Sequence, residues 1–335
     1  MRLYSWDQAE PLDDNFWRAR LDSAIALRQR LFAGTPSEQA CRLIFSEGDG
    51  LSGLTVDRFG DWLMVQWTGL AIAQREQVIL DHLQSKLRPR GIWRRTEKGI
   101  GEAEGLELTD GLARGEQPPR PIFIEEHGVR LGVDVVEGHK TGCYLDQRDN
   151  RLRVARYCDN AKVLDAFSYT GGFGLAAVVR GNAASVTAVD SSGPALEIAK
   201  ANAELNGVAQ RFTFERGDVA DWLSEAAAAG RKFDVIVLDP PKMARTRSGL
   251  NRAAKGYLRL NRLALDCLVP GGILATCSCS GLVDQETFLD IVAKAAVDAG
   301  RRMQVLEIGR QATDHPISIH CRESAYLKCV ITRVE

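Results

Sequence analysis

The sequence predicts a two-domain α/β chain, with a doubly wound, Rossmann-like parallel sheet preceded by a small α+β domain. Three observations predict it. At 335 residues the chain exceeds what one small core accommodates. From about residue 160 short, strongly apolar runs alternate with helical segments, the rhythm of a parallel sheet covered on both faces. Upstream that rhythm is missing, and one amphipathic helix is followed by several β-rich runs. The expected division is residues 1–12 as a linker, 13–137 as the α+β domain and 138–335 as the doubly wound domain.

In chain order, NFWRARLDSAIALRQRLF (15–32) repeats apolar residues at helical spacing, with Asp13 or Asp14 placed to cap it. CRLIFSEGDGLSGLTVDRF and WLMVQWTGL read as strands, and AQREQVILDHLQSKL (73–87) as an amphipathic helix. IWRR and PIFIEEHGVRLGVDVV read as further strands, the latter turning at His127-Gly128. Between them EGLELTDGLARGEQPPRP (104–121) reads as a loop because it is polar and rich in Gly and Pro. In the second half KVLDAF, SVTAVD, RFTFERGD, FDVIVLDPP and GGILATCSC are buried strands, with GGFGLAAVVRG, PALEIAKANAELNG and ADWLSEAAAAG as helices between them. Pro194 starts the second of these and Gly207 stops it. QVLEIG and AYLKCVITRV are expected to close the sheet edge as an antiparallel pair.

Composition excludes several classes. The N-terminus carries acids and no apolar core, so it is no signal peptide, and no apolar run approaches the roughly 18 residues of a membrane span. Eight scattered cysteines lack framework spacing, so free thiols in the cytoplasm are expected. With 43 Lys plus Arg against 44 Asp plus Glu the chain is no polycation, and a nucleic acid must meet a local basic surface. KLRPRGIWRRTEKG (86–99), six basic residues around one Trp, is the candidate; the alternative is a solvated strand edge and loop.

Ligands of doubly wound sheets bind beyond the carboxyl ends of the strands. There the first strand ends in Asp165 and runs into AFSYTGGFG, whose glycines permit tight turning and close approach of backbone to ligand. The second ends in Asp190, twenty-five residues later and placed for ribose hydroxyls; the third ends in Gly217-Asp218, the fourth in Asp239-Pro240-Pro241-Lys242. The glycines do not follow GxGxxG, and a pyrophosphate disfavours so many acids. Acids at four strand ends suit hydroxyls, an amine and a positive charge, which S-adenosylmethionine combines. The Pro-Pro pair fixes a rigid loop over the pocket and leaves Asp239 to face a planar, amine-bearing group, a substrate-binding role for Pro240, Pro241 and Lys242.

The runs HKTGCYLDQRDNR (139–151), VLDAFSYTGGFG, AVDSSGPALEIAKANAELNG, FDVIVLDPPK and ATCSCSG resemble the bacterial 23S rRNA (cytosine-5-)-methyltransferases, class I enzymes dependent on S-adenosylmethionine. The resemblance implies 5-methylcytosine formation in an unstacked cytosine of large-subunit rRNA. It implies that Ser168, Gly171, Asp190, Asp218 and Asp239 line the cofactor pocket and that Tyr144, Gln147 and Arg148 pack over it; the alternative for the last two is an interdomain hinge. It also implies an EEHI-type central domain, with EEHG (125–128) its namesake stretch. The family's N-terminal PUA domain is expected to be missing, with residues 1–12 its remnant, and the long helical N-terminus is available for a homodimer.

Carbon 5 of cytosine becomes nucleophilic only after a thiolate adds to carbon 6, so the chemistry needs a cysteine at the pocket rim. On a strand Cys277 and Cys279 share a face about 6–7 Å apart. Cys279, nearer the carboxyl end, is the expected nucleophile, with Asp239 beside it, and Cys277 the expected core thiol; the resemblance points to the same assignment. A metal site would need two more ligands at workable spacing and is not expected. The alternatives are methylation of a base nitrogen, as on guanine, and a catalytically idle protein that binds rRNA during assembly.

Overall fold

The computed structural model describes residues 3–96, 104–106, 109–136, 143–244 and 246–335. They form two compact units. The first comprises Met1–Glu126, Leu131–Asp146 and Ala312–Ser324, the second His127–Arg130, Gln147–Gln311 and Ala325–Glu335. The boundary expected at 137 lies outside the described residues. Among those described, no helix is long and apolar enough to cross a membrane.

In the first unit α1 (Asp14–Phe32) starts where Asp13 accepts a hydrogen bond from the Phe16 amide at 3.0 Å. Its buried face carries Trp17, Leu21 and Ile25, spaced by four. Strands β1 (Ala40–Phe45), β2 (Leu54–Phe59), β3 (Trp62–Trp67), β4 (Gly91–Arg95) and β5 (Gly111–Gly115) form one sheet in that order. A single turn α2 (Leu70–Ala73) and α3 (Glu76–Leu87) lie between β3 and β4; a separate hairpin, whose tip His127–Arg130 is counted with the second unit, pairs β6 (Ile122–Glu126) with β7 (Val129–Val133). His127 and Gly128 are left-handed at the hairpin's tip, φ 50° and 81°, as its two-residue turn requires.

Strand β5 corrects the expectation of a loop over 104–121. Gly91 and Gly115 are register partners, and a Cβ on Gly91 would lie 1.9 Å from the Glu116 carbonyl oxygen. The glycines that suggest a loop are what lets these two backbones pair.

The second unit holds α4 (Arg148–Ala155), β8 (Lys162–Ala166), α5 (Gly172–Val179), β9 (Ser185–Asp190), α6 (Gly193–Leu205), β10 (Phe212–Arg216), α7 (Val219–Ala228), β11 (Phe233–Leu238), α8 (Leu250–Cys267), β12 (Leu268–Ser278), α9 (Gln285–Asp298), β13 (Met303–Gly309) and β14 (Lys328–Val334). One seven-stranded sheet runs β10-β9-β8-β11-β12-β14-β13. Its first five strands are parallel, and β14 is antiparallel to both β12 and β13, the expected edge pair. Strand order reverses between β8 and β11, and a crevice opens at such a reversal. Helix α8 escaped the sequence reading although its buried residues Ala253, Tyr257, Leu260 and Ala264 follow a helical period.

Candidate functional site

At the end of β8, Asp165 is 1% exposed and accepts the Gly174 amide at 2.8 Å. Burial drives its carboxyl pKa up to about 6, with the Gly174 amide and the Arg151 charge opposing. Asp165 therefore ties the strand to the first turn of α5. The loop between them is wound tightly: Phe167, Tyr169 and Gly171 all have positive φ, 63°, 49° and 83°. Two of the three are not glycine, a strain that fixed surroundings must hold.

Asp190, at the end of β9, braces this loop. Its Oδ2 accepts the Tyr169 amide at 2.9 Å and its Oδ1 the Ser192 amide at 2.8 Å. Ser168 then projects a buried hydroxyl with no hydrogen-bond partner among the described residues. A buried polar atom without a partner costs about 1–3 kcal/mol, so its presence at a strand end points to a ligand. After β10, Asp218 caps α7 through Oδ1 alone, accepting Ala220 and Asp221 amides at 2.9 and 3.2 Å, and its side chain is exposed.

The glycines of this loop have a more local cause than approach to a ligand. A Cβ on Gly174 would meet Val186 Cγ1 at 2.9 Å and Asp165 Oδ2 at 3.1 Å, and one on Gly172 would meet the Arg151 guanidinium at 2.7 Å. Gly174→Ala is accordingly expected to cost about 1–3 kcal/mol through overpacking, read as a lowered denaturation midpoint. An unchanged midpoint would show that the loop relaxes freely.

At the reversal, β11 leads into Asp239, whose Oδ1 accepts Gln147 Nε2 at 2.9 Å. Gln147 is 2% exposed, and its carbonyl oxygen accepts Asn150 Nδ2 at 2.6 Å. Asn150 in turn donates to the Arg310 carbonyl at 3.1 Å. The sequence flagged Gln147 and Asp239, while Asn150, which orients them, carried no signal. Arg148 is buried in α4, Pro240 is buried, and Pro241 and Lys242 are exposed. Tyr144 belongs to the first unit, and His139–Gly142 of the flagged run lie outside the described residues.

Strand β12 ends at Ser278, one residue earlier than strand periodicity assumed, so Cys279 has left the ladder. Cys277 is fully buried and opposite Cys329; the hydrogen bond to Cys329 and burial hold its thiol well above the ordinary range. Cys279 is half-buried in the following loop. Two serines anchor that loop. Ser278 Oγ donates to Tyr257 Oη at 3.0 Å, and Tyr257 Oη lies 3.1 Å from Ser280 Oγ. Ser280 Oγ also accepts the Ala244 amide at 3.2 Å, which joins this loop to the one carrying Asp239. Lys328 donates to the Ser280 and Tyr326 carbonyls, both at 2.8 Å. Burial lowers its pKa to about 8, with electrostatic interaction toward Cys279 and Asp284 opposing the shift.

The carboxyl ends of β8, β9, β11 and β12 thus gather a hydroxyl unpartnered among the described residues, three hydrogen-bonded acids and one half-buried thiol on a clamped loop. The family described as S-adenosylmethionine-dependent methyltransferase matches residues 114–311. Proteins named Ribosomal RNA large subunit methyltransferase I from Citrobacter koseri and Escherichia coli are each 44% identical over 334 residues, covering 99% of this chain and 84% of theirs. A Streptococcus mutans protein described as a SAM-dependent methyltransferase superimposes with TM-score 0.85 at 22% identity, over 97% of this chain and 83% of its own. A methyltransferase structure complexed with SAH gives TM-score 0.86 at 22% identity over the same shares. At that identity the solved structures speak for the fold.

Proposed function

The chain belongs to the S-adenosylmethionine-dependent methyltransferases, and from that membership we propose that it forms 5-methylcytosine in large-subunit rRNA through a covalent Cys279–cytosine adduct. The residues present fit the cofactor. Among the described residues Ser168 offers a buried hydroxyl without a partner, Asp218 uses only one carboxylate oxygen, and both Asp190 oxygens keep a lone pair beyond the amides they accept. These groups suit ribose hydroxyls and an ammonium. Asp165 holds the loop that presents Ser168, and Gln147 and Arg148 complete the proposed wall within the same unit.

When bound, S-adenosylmethionine supplies an electrophilic methyl group. Cys279 Sγ, as thiolate, adds to carbon 6 of the cytosine, and the carbon 5–carbon 6 π electrons move toward carbon 5. Asp239 accepts from the cytosine amine, with Pro240 and Pro241 keeping its loop rigid and Lys242 at the rim. Once carbon 5 has taken the methyl group, with the broken sulfur–methyl bond's electron pair left on the cofactor's sulfur, the carbon 5 proton passes to water, and the electron pair left on carbon 5 expels Cys279 as thiolate and restores the ring. The target base must leave its stack to reach the thiol.

The observation that carries this reading is Cys279 itself, a half-buried thiol on a loop clamped by Ser278 and Ser280. The test uses large-subunit rRNA transcribed with 5-fluorocytidine, whose carbon 5 has no removable proton once methylated. The wild-type enzyme is expected to form a denaturant-resistant protein–RNA adduct that Cys279→Ala does not form. An enzyme that methylates unsubstituted RNA yet traps no adduct would be acting on a nitrogen.

A further inference from the structure

Between Lys242 and Leu265 the chain carries seven cations and no acid, in a protein of net charge −1. This stretch runs from the Asp239 loop into α8. On α8, Arg252, Lys255 and Arg259 are spaced by three and four, so they share one exposed face. Arg252 and Lys255 have neither ion pair nor hydrogen bond among the described residues, and nor do Lys242 and Arg247. Arg259 meets only Asp221 at 3.4 Å, with both side chains more than 60% exposed, a pair worth little.

The contrast with the basic run at 86–99 is direct. There Lys86 pairs with Asp22, Arg90 with Glu116, Arg94 with Glu76 and Arg95 with Asp110. Four of that run's six cations are thus matched by acids of the same unit. The α8 face is not neutralised.

The opposite face of α8 is bolted to the candidate site. Tyr257, fully buried, exchanges hydrogen bonds with Ser278 and Ser280 on either side of Cys279. The helix thus carries an open cationic stripe on one side and the clamp of the thiol loop on the other. We propose that Arg252, Lys255 and Arg259 form a docking surface for the phosphate backbone of the RNA strand that delivers its base to Cys279. The inference rests on the rRNA methyltransferase reading. Phosphates demand positive charge without sequence-specific geometry, which an uncompensated stripe supplies. A partner one turn from the thiol's anchor is also held at a fixed distance from the chemistry.

The experiment uses the full chain and unmethylated large-subunit rRNA transcribed in vitro. Arg252→Gln, Lys255→Gln and Arg259→Gln are combined; all three are exposed, so folding is retained and is checked by S-adenosylmethionine binding. Expected are a roughly 10-fold or larger rise in Kd for RNA near 0.1 M salt and a salt slope shallower by about 2, since each single-strand phosphate contact contributes about 0.7. KM for RNA should rise in step, and Arg252→Lys with Arg259→Lys should keep the wild-type slope. A charge-matched control, Lys200→Gln with Lys294→Gln and Arg302→Gln, should leave both slope and KM alone. Unchanged slope and KM in the α8 variant, or an equal loss in the control, overturns the docking surface. Failure of the wild type to methylate any large-subunit rRNA instead sinks the function, and the inference with it.

Discussion

Replacing Cys279 by alanine is expected to lower methyl transfer by at least about 10³-fold while S-adenosylmethionine affinity stays within about twofold. The size follows from the chemistry. Without an adduct at carbon 6 the enamine never forms, and no other side chain restores it. The selectivity follows from the geometry. Cys279 lies beyond the end of β12, whereas Ser168, Asp190 and Asp218, proposed for the cofactor's hydroxyls and ammonium, lie beyond β8, β9 and β10. Cys277→Ala is the internal control. Its thiol is fully buried against Cys329 in the sheet, so losing it should cost about 1–2 kcal/mol of stability and leave turnover in place. Initial rates with tritiated S-adenosylmethionine, calorimetric cofactor binding and urea midpoints separate the two. Residual methylation of carbon 5 by Cys279→Ala above about a tenth of wild type would remove the nucleophile assignment.

What the sequence disclosed was whatever depends on local pattern. Alternating apolar runs placed all five parallel strands, and acids at strand ends marked Asp165, Asp190, Asp218 and Asp239. Features that exist only between distant residues stayed hidden. Ser168 stands out because its hydroxyl lacks a partner among the described residues, which is a property of its surroundings. The left-handed turns at Phe167 and Tyr169 are imposed by Asp190 and the start of α5, since neither residue type asks for them. Strand β5 was mistaken for a loop because glycine favours loops in general and permits close strand pairing in particular. Two signals were present and unread. The helical period of α8 was one, and the seven cations with no acid among them over 242–265 were the other, a stronger charge anomaly than the run at 86–99. Counting basic residues alone favoured the earlier run; counting the acids able to neutralise them favours α8.

Asp165 yields the second large effect, on stability against pH. Its carboxyl titrates near 6 in the folded chain against an ordinary 3.8, with burial as the main cause. Below about pH 4 folded and unfolded chains both carry it protonated, and its burial costs no charge. As pH rises through about 4 to 6 the unfolded chain ionises first, so the folded state loses stability, and above about 6.5 the full penalty of about 3 kcal/mol is in place. Other carboxylates titrate in the same range, so the informative quantity is the difference between wild type and Asp165→Asn. That difference should move against the wild type by about 3 kcal/mol between pH 4 and 6.5 and be flat above, in urea unfolding at stepped pH. Parallel curves would mean that the carboxyl is not charged in a dry site. A buried charge of this cost needs a reason to remain. The reason on hand is the Gly174 amide at 2.8 Å, because an ionised acceptor binds it more strongly than a neutral one. The same variant should therefore weaken S-adenosylmethionine binding at neutral pH, where a neutral amide oxygen holds the Gly174 N–H of the Ser168 loop less firmly than the carboxylate does, and should match the wild type near pH 4, where the carboxyl is itself protonated. Weakening that persists undiminished near pH 4 would instead mean that the exchange disturbs the loop through something other than the carboxylate charge.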